Sequence, residues 1–199
     1  MVLAPVEPLA TSHPNAGPDS ARQSVGCLSK GKYMIAYRLI HAQEPPRLQE
    51  VPTPGLGQLL VKVGGCGLCH TDLGLMKRTE AEWFDRPPPL TLGHEIAGWI
   101  TQIGQGVVGF KGGEPVAVVP IWGSCGHCAP CRRGEENFCY YISRLICAGI
   151  GFDGGLAEYI LVEARFVVPM GDFDPVLAAP LTDAGLGLAT RSDNRTSSP

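Results

Sequence analysis

Residues 96–119 read IAGWITQIGQGVVGFKGGEPVAVV, and this stretch decides the fold. Two apolar runs rich in Val and Ile, 96–103 and 116–119, enclose glycine turns at Gly104-Gln105-Gly106 and Lys111-Gly112-Gly113. That is the pattern of two short strands joined by turns. The same stretch spaces Gly104, Gly106 and Gly109 as G-x-G-x-x-G, the spacing of a dinucleotide-binding turn. Such a turn works only when its third glycine sits in a helix whose N-terminus faces the pyrophosphate. Gly109 is followed by Phe-Lys-Gly-Gly-Glu-Pro, where glycines and proline forbid a helix. A second match, Gly149, Gly151 and Gly154, leads into LAEYILV, an alternating β pattern. Both are read as turns between strands.

Working outward, further short strands are expected at 33–40, 58–63, 156–162 and 166–168, the second following the turn-rich Pro52-Thr53-Pro54-Gly55. A helix is expected after Cys69, with Thr71 or Asp72 near its start. Strands and helices do not alternate, so there is no sign of a parallel nucleotide-binding sheet. Short strands at this spacing predict a mainly β domain, a barrel or sandwich with few short helices.

A chain of 199 residues is long enough for one domain with a substantial core. Its net charge of −3 gives no reason to expect nucleic acid or a membrane surface as partner. No apolar run approaches the roughly 18 residues of a spanning helix. Residues 1–31 lack a basic n-region and an unbroken apolar stretch; their Pro, Ser and Ala content suits a flexible extension. The Asn194-Arg195-Thr196 glycosylation pattern has no secretory signal to support it. The cysteines are grouped as metal ligands, with Cys27, Cys66 and Cys147 left over. That usage suits a reducing, cytoplasmic setting better than a disulfide scaffold.

The segment GSCGHCAPCRRGEENFC places Cys125, Cys128, Cys131 and Cys139 on one loop. Four thiolates so close in sequence can close a tetrahedron around Zn²⁺; a disulfide pair is the alternative. Four protein ligands leave no open position, so this metal would hold a loop and do no chemistry. His127, between two of the cysteines, is read as solvated.

The cysteine loop resembles the structural-zinc lobe of the zinc-dependent medium-chain alcohol dehydrogenases. GCGLCHTDL from Gly65, LTLGHEIAG from Leu90 and GGLAEYILV from Gly154 match the same family in the same order. PLTDAGL from Pro180 resembles the branch acting mainly on secondary alcohols and ketones. The resemblance covers residues 32–186 and implies a GroES-like, partly open β-barrel, with the zinc lobe at about residues 120–142. It implies a catalytic zinc held by Cys69, His94 and Asp183, with Glu95 as an accessory residue. Taken alone, Cys69 has a buried thiol as its alternative, and a lone His94 is more often a satisfied core histidine. Asp72 matches the position that orients the ligating histidine, although a helix N-cap suits it locally almost as well. Thr71 matches the hydroxyl beside the substrate oxygen, or else it caps the following turn. His70 matches a position that contacts the cofactor pyrophosphate or joins the proton relay.

By this resemblance the chain is an oxidoreductase with two zinc ions, linked to NAD. It would interconvert small apolar alcohols with ketones or aldehydes, and its relatives form homo-oligomers. The family's Rossmann domain lies downstream of the barrel and is not found here; residues 187–199 are read as an atypical polar tail of a truncated chain. Two other readings stand beside this one: a zinc-binding barrel without turnover and, more weakly, a zinc-free quinone reductase. The chain alone is expected to turn over alcohol little or not at all.

Overall fold

A computed structural model describes residues 33–52, 58–79, 82–83, 87–142 and 146–185. The expected extension at 1–31 and the tail at 187–199 lie outside the described residues, as does most of the turn at 52–55. Ten strands and three short α-helices make up the described part. In chain order they are β1 (Tyr33–Leu39), β2 (Arg47–Pro52), β3 (Leu59–Gly67), α1 (His70–Lys77), β4 (Leu90–Thr91), β5 (Glu95–Ile103) and β6 (Pro115–Val118). There follow β7 (Ile121–Trp122), α2 (Ala129–Arg132), β8 (Ile146–Cys147), β9 (Tyr159–Val162), β10 (Val167–Pro169) and α3 (Pro175–Ala178).

The five-stranded sheet runs β10-β6-β5-β3-β9 and the three-stranded sheet β2-β1-β4, while β7 and β8 form a separate ribbon. Every pairing is antiparallel. The two larger sheets meet at an Ala36–Ala157 bridge, where Tyr37 N donates to Leu156 O at 2.7 Å and Glu158 N to Ile35 O at 3.1 Å. They do not close on each other, so the barrel is partly open.

Alternation explains the core. Val116 and Val118 of β6 and Ile160 and Val162 of β9 turn inward, their neighbours outward. They pack with Leu59, Val61, Ile96, Ile100 and Phe166 in one cluster. The start of β5 is buried on both faces. Ile96 faces that cluster, and Ala97 lies against Ala178 and Ala179 on the other side. This close approach depends on small residues: a Cβ on Gly65 would sit 3.1 Å from the Val176 Cα and 3.2 Å from the Ala179 Cβ. The end of α3 and the 3₁₀ turn after it (Ala179–Thr182) are thereby laid across β3 and β5.

The strands expected near 33–40, 96–103, 116–119 and 166–168 are present, shifted by a residue or so at their ends. Strand β3 runs on to Gly67 through register shifts at Leu60/Val61 and Val63/Gly65. Strand β9 begins at Tyr159 rather than at 156, because Gly154, Gly155 and Leu156 donate to Thr91, Gly93 and Leu92 instead. Strands β2, β4, β7 and β8 were not legible: β2 is largely exposed and the others span two residues each.

Neither glycine-rich match opens a helix. Gly106 and Gly109 take φ of +83° and +86° in the connection between β5 and β6. Gly149 and Gly154 pack against the backbone just before His94. A Cβ on Gly149 (φ +73°) would come within 2.6 Å of the Gly93 nitrogen and oxygen, and one on Gly154 would strike the Gly93 carbonyl. We expect Gly149→Ala to destabilise the fold by about 1–3 kcal/mol, the usual range for overpacking. Gly106→Ala, which shares the positive φ but meets nothing within 4 Å, should cost less. Urea denaturation of the two variants measures the difference, and equal losses would place the whole effect in backbone strain.

Candidate metal centres

Two groups of metal-binding side chains form among the described residues: Cys125, Cys128, Cys131 and Cys139, and Cys69, His94, Glu95 and Asp183. Within each group the donor atoms lie within 4.8 Å of one another.

In the first, Cys128 precedes α2 and Cys131 lies within it, with proline favouring the helix start. Gly126, at φ +73°, turns the chain so that His127 N and Cys128 N both point at Cys125 Sγ, at 3.5 and 3.3 Å. Cys125 N points at Cys139 Sγ at 3.3 Å. The Sγ atoms of Cys128 and Cys131 are 3.4 Å apart; Cys125–Cys131 and Cys128–Cys139 are each 3.9 Å. Zn–S bonds of about 2.3 Å give a tetrahedron edge of about 3.8 Å, so the cage has the size of a zinc site. These separations are those of free thiols, and the cysteines form no disulfide.

The Cys125 N–H, chiefly, draws the Cys139 thiol down to about 6, whereas burial and the neighbouring thiols push Cys131 up to about 12. Like charges this close cannot all ionise unless a cation lies among them. The loop is fastened to the sheet by Arg165. Its Nη2 donates to Ser124 O at 2.8 Å, Nη1 to Ser124 Oγ at 2.9 Å, and Nε to Glu163 at 2.7 Å. The guanidinium also lies 4.3 Å from the Phe166 ring centroid. No motif marked Arg165, because Ser124, its partner in the cysteine loop, lies 41 residues away. His127 is exposed and stacks on Tyr141 at 5.6 Å.

The second group draws on three parts of the chain. Cys69 immediately precedes α1, His94 lies between β4 and β5, Glu95 opens β5, and Asp183 follows the 3₁₀ turn. His94 Nε2 is 3.4 Å from Asp183 Oδ2, and Cys69 Sγ is 3.9 Å from the same oxygen. His94 and Glu95 are buried, while the Asp183 side chain is 46% exposed; the group is therefore open on one side. Thr182 Oγ1 accepts from Ile96 N at 3.2 Å and donates to Ala179 O at 2.9 Å. Those bonds tie the Asp183 turn to β5. Burial lifts the Glu95 carboxyl above its usual range, against the pull of His94 and of the Ala184 N–H. A Cβ at Gly67 would collide with the Glu95 carboxylate, so glycine there makes room for it.

Asp72, which the sequence left between two roles, is fully buried. Its Oδ2 accepts from Cys69 N at 2.9 Å and its Oδ1 from Gly93 N at 3.1 Å. It thus completes the helix cap and bridges the segments that carry Cys69 and His94. Its Oδ1 lies 3.8 Å from His94 Nδ1, beyond hydrogen-bond length, and that nitrogen has no hydrogen-bond partner among the described residues. Thr71 Oγ1 is 3.7 Å from Cys69 Sγ; Thr71 and His70 are both exposed on the first turn of α1. Cys66 and Cys147 belong to neither group. Burial pushes their thiols up to about 12 and about 11, which keeps them protonated.

The family model of the alcohol dehydrogenase GroES-like domain matches residues 55–172. An NAD-dependent alcohol dehydrogenase of Saccharolobus solfataricus is 40% identical over 161 residues, 77% of this chain and 45% of that protein. Among solved structures, the alcohol dehydrogenase of Aeropyrum pernix superposes with a TM-score of 0.72 at 34% identity, over 83% of this chain and 49% of that one. A cobalt- and zinc-bound thermostable alcohol dehydrogenase from Pyrobaculum aerophilum does so with a TM-score of 0.66 at 30% identity, over 76% and 45%. The partly open β-barrel is a GroES-like domain, and the chain belongs to the zinc-dependent medium-chain alcohol dehydrogenase family. It spans 45% of the length of the Saccharolobus relative. No helix among the described residues is long and apolar enough to cross a membrane.

Proposed function

We propose that this chain provides the metal- and substrate-binding part of a zinc-dependent, NAD-linked alcohol dehydrogenase. Its substrates would be small apolar alcohols, chiefly secondary, interconverted with ketones or aldehydes. One observation carries the proposal: Cys69, His94, Glu95 and Asp183, drawn from distant segments, bring their donor atoms within 4.8 Å of one another. Thiolate, neutral imidazole and carboxylate are all zinc ligands, and their two negative charges balance Zn²⁺. Cys69, His94 and Asp183 would hold the ion, with Glu95 as an accessory carboxylate, and substrate would reach it from the side where Asp183 is exposed. Zinc bound there supplies Lewis acidity, which makes an alcohol hydroxyl more acidic or a ketone more electrophilic.

Thr71 Oγ1, 3.7 Å from the Cys69 sulfur, accepts the proton of the substrate hydroxyl and passes its own towards solvent. Exposed His70, next to it, continues that relay or meets the cofactor pyrophosphate. Asp72 holds the backbones beside two ligands and faces His94 Nδ1, which leaves Nε2 directed towards Asp183 and Cys69. The four-cysteine cage would hold a second, structural zinc. Free thiols beside this cage fit a cytoplasmic enzyme, and assembly into a homo-oligomer follows the family resemblance.

Elemental analysis of protein expressed in zinc-replete medium tests the proposal. The expected result is about two zinc ions per chain, one leaving well before the other in a chelator titration. Zinc-free protein would overturn it. NAD-dependent oxidation of 2-propanol and 1-phenylethanol then distinguishes a working dehydrogenase from a zinc-binding domain without turnover.

A further inference from the structure

His94 owes its place to the hydrogen bonds of residues 91–93. Gly93 N donates to Asp72 Oδ1 at 3.1 Å, and residues 153–156 run alongside. Gly154 N donates to Thr91 O at 2.8 Å, Leu156 N to Leu92 O at 2.9 Å and Gly155 N to Gly93 O at 2.9 Å. Asp153 completes this ladder: its Oδ1 accepts from Thr91 N at 2.8 Å. Arg38, on β1, stands behind it. Arg38 Nη2 is 3.5 Å from Asp153 Oδ1 and donates to Pro89 O at 3.0 Å. One guanidinium and one carboxylate thus hold both ends of residues 89–91, three residues before the ligand at the nearer end.

We propose that Asp153, backed by Arg38, is a positioning residue for the metal ligand His94. The inference rests on the assignment of Cys69, His94 and Asp183 as ligands. Thr91 is 1% exposed, so water cannot readily replace the Asp153 oxygen. Without an acceptor, its N–H is left buried and unpaired, and the segment must shift to satisfy it. A shift there carries His94 Nε2 away from Asp183 and Cys69. The Arg38–Asp153 ion pair contributes little by itself, because Asp153 is 44% exposed and solvent screens the attraction. Its part is to aim the carboxylate at Thr91. Two carboxylates, Asp72 at Gly93 and Asp153 at Thr91, therefore grip the His94 segment.

Chelator competition on one sample reads both zinc sites, with the four-cysteine cage as internal control. Asp153→Ala is expected to weaken the Cys69–His94–Asp183 site by about 10- to 100-fold, the usual effect of losing a group that orients a ligand, and to leave the cage unchanged. Asp153→Asn keeps an oxygen for the Thr91 N–H and should recover most of that affinity. Asp153→Glu keeps the charge but misplaces the oxygen, and should not. If the alanine variant does not fold, the asparagine and glutamate variants decide the matter alone. Wild-type affinity in Asp153→Ala, equal weakening of both sites, or Glu matching Asn would overturn the inference while leaving the ligand assignment intact. A wild-type chain that takes zinc only in the cage would overturn the ligand assignment and this inference with it.

Discussion

Replacing Cys131 with serine is expected to remove about one zinc ion per chain and to unfold the lobe around it. The reason is the lobe's composition. Its buried cluster consists of Cys128, Cys131 and Cys139, with Cys125 and Ile142 packed against them. Almost nothing apolar would remain buried there if the thiolates stopped converging on a cation. Serine offers a neutral, harder oxygen on a shorter bond, which suits a soft thiolate cage poorly. The main core of Leu59, Val61, Ile96, Ile100, Val116 and Val118 is a separate cluster. The β-sheet circular dichroism signal should therefore survive while limited proteolysis cuts within residues 123–142. Unchanged zinc content together with an unchanged unfolding curve would rule out a structural metal.

His94→Ala should produce the opposite division. The second site loses its only nitrogen donor, so the zinc content falls from about two to about one, and the four-cysteine cage keeps its metal. His94 is 3% exposed, so the variant also opens a cavity beside Asp72, and a moderate loss of stability should accompany the loss of metal. NAD-dependent alcohol oxidation in any active form of the protein should disappear with that second zinc. Elemental analysis of both variants side by side is the measurement. Equal depletion of both metals in each would show that the two sites do not act separately.

Much of this protein was legible before any coordinates. Alternating Val and Ile with glycine turns marked most of the longer strands, because burial of one sheet face writes a period of two into the chain. The same local chemistry exposed two false dinucleotide motifs, since glycine and proline or a β pattern followed where a helix was needed. The four-cysteine loop was legible because all its donors lie within a separation of 14 residues, a distance that turn geometry alone can close.

The second site is different. Cys69 and Asp183 are 114 residues apart, and local spacing says nothing about the distance between two such atoms. Family resemblance named the residues; it could not show that their donors meet. That outcome depends on the shifted register of β3 against β5, on glycines that let α3 lie across them, and on the ladder from residues 153–156. Asp72 and Asp153 show the limit most clearly. Each carries a short-range signature, a helix cap in one case and a glycine turn in the other, yet both grip the His94 segment. By itself the sequence determined which residues could bind metal and where most of the longer strands would form. The tertiary structure alone decided that four of those residues share one open site, because only packing across the sheet brings distant backbones within hydrogen-bond reach.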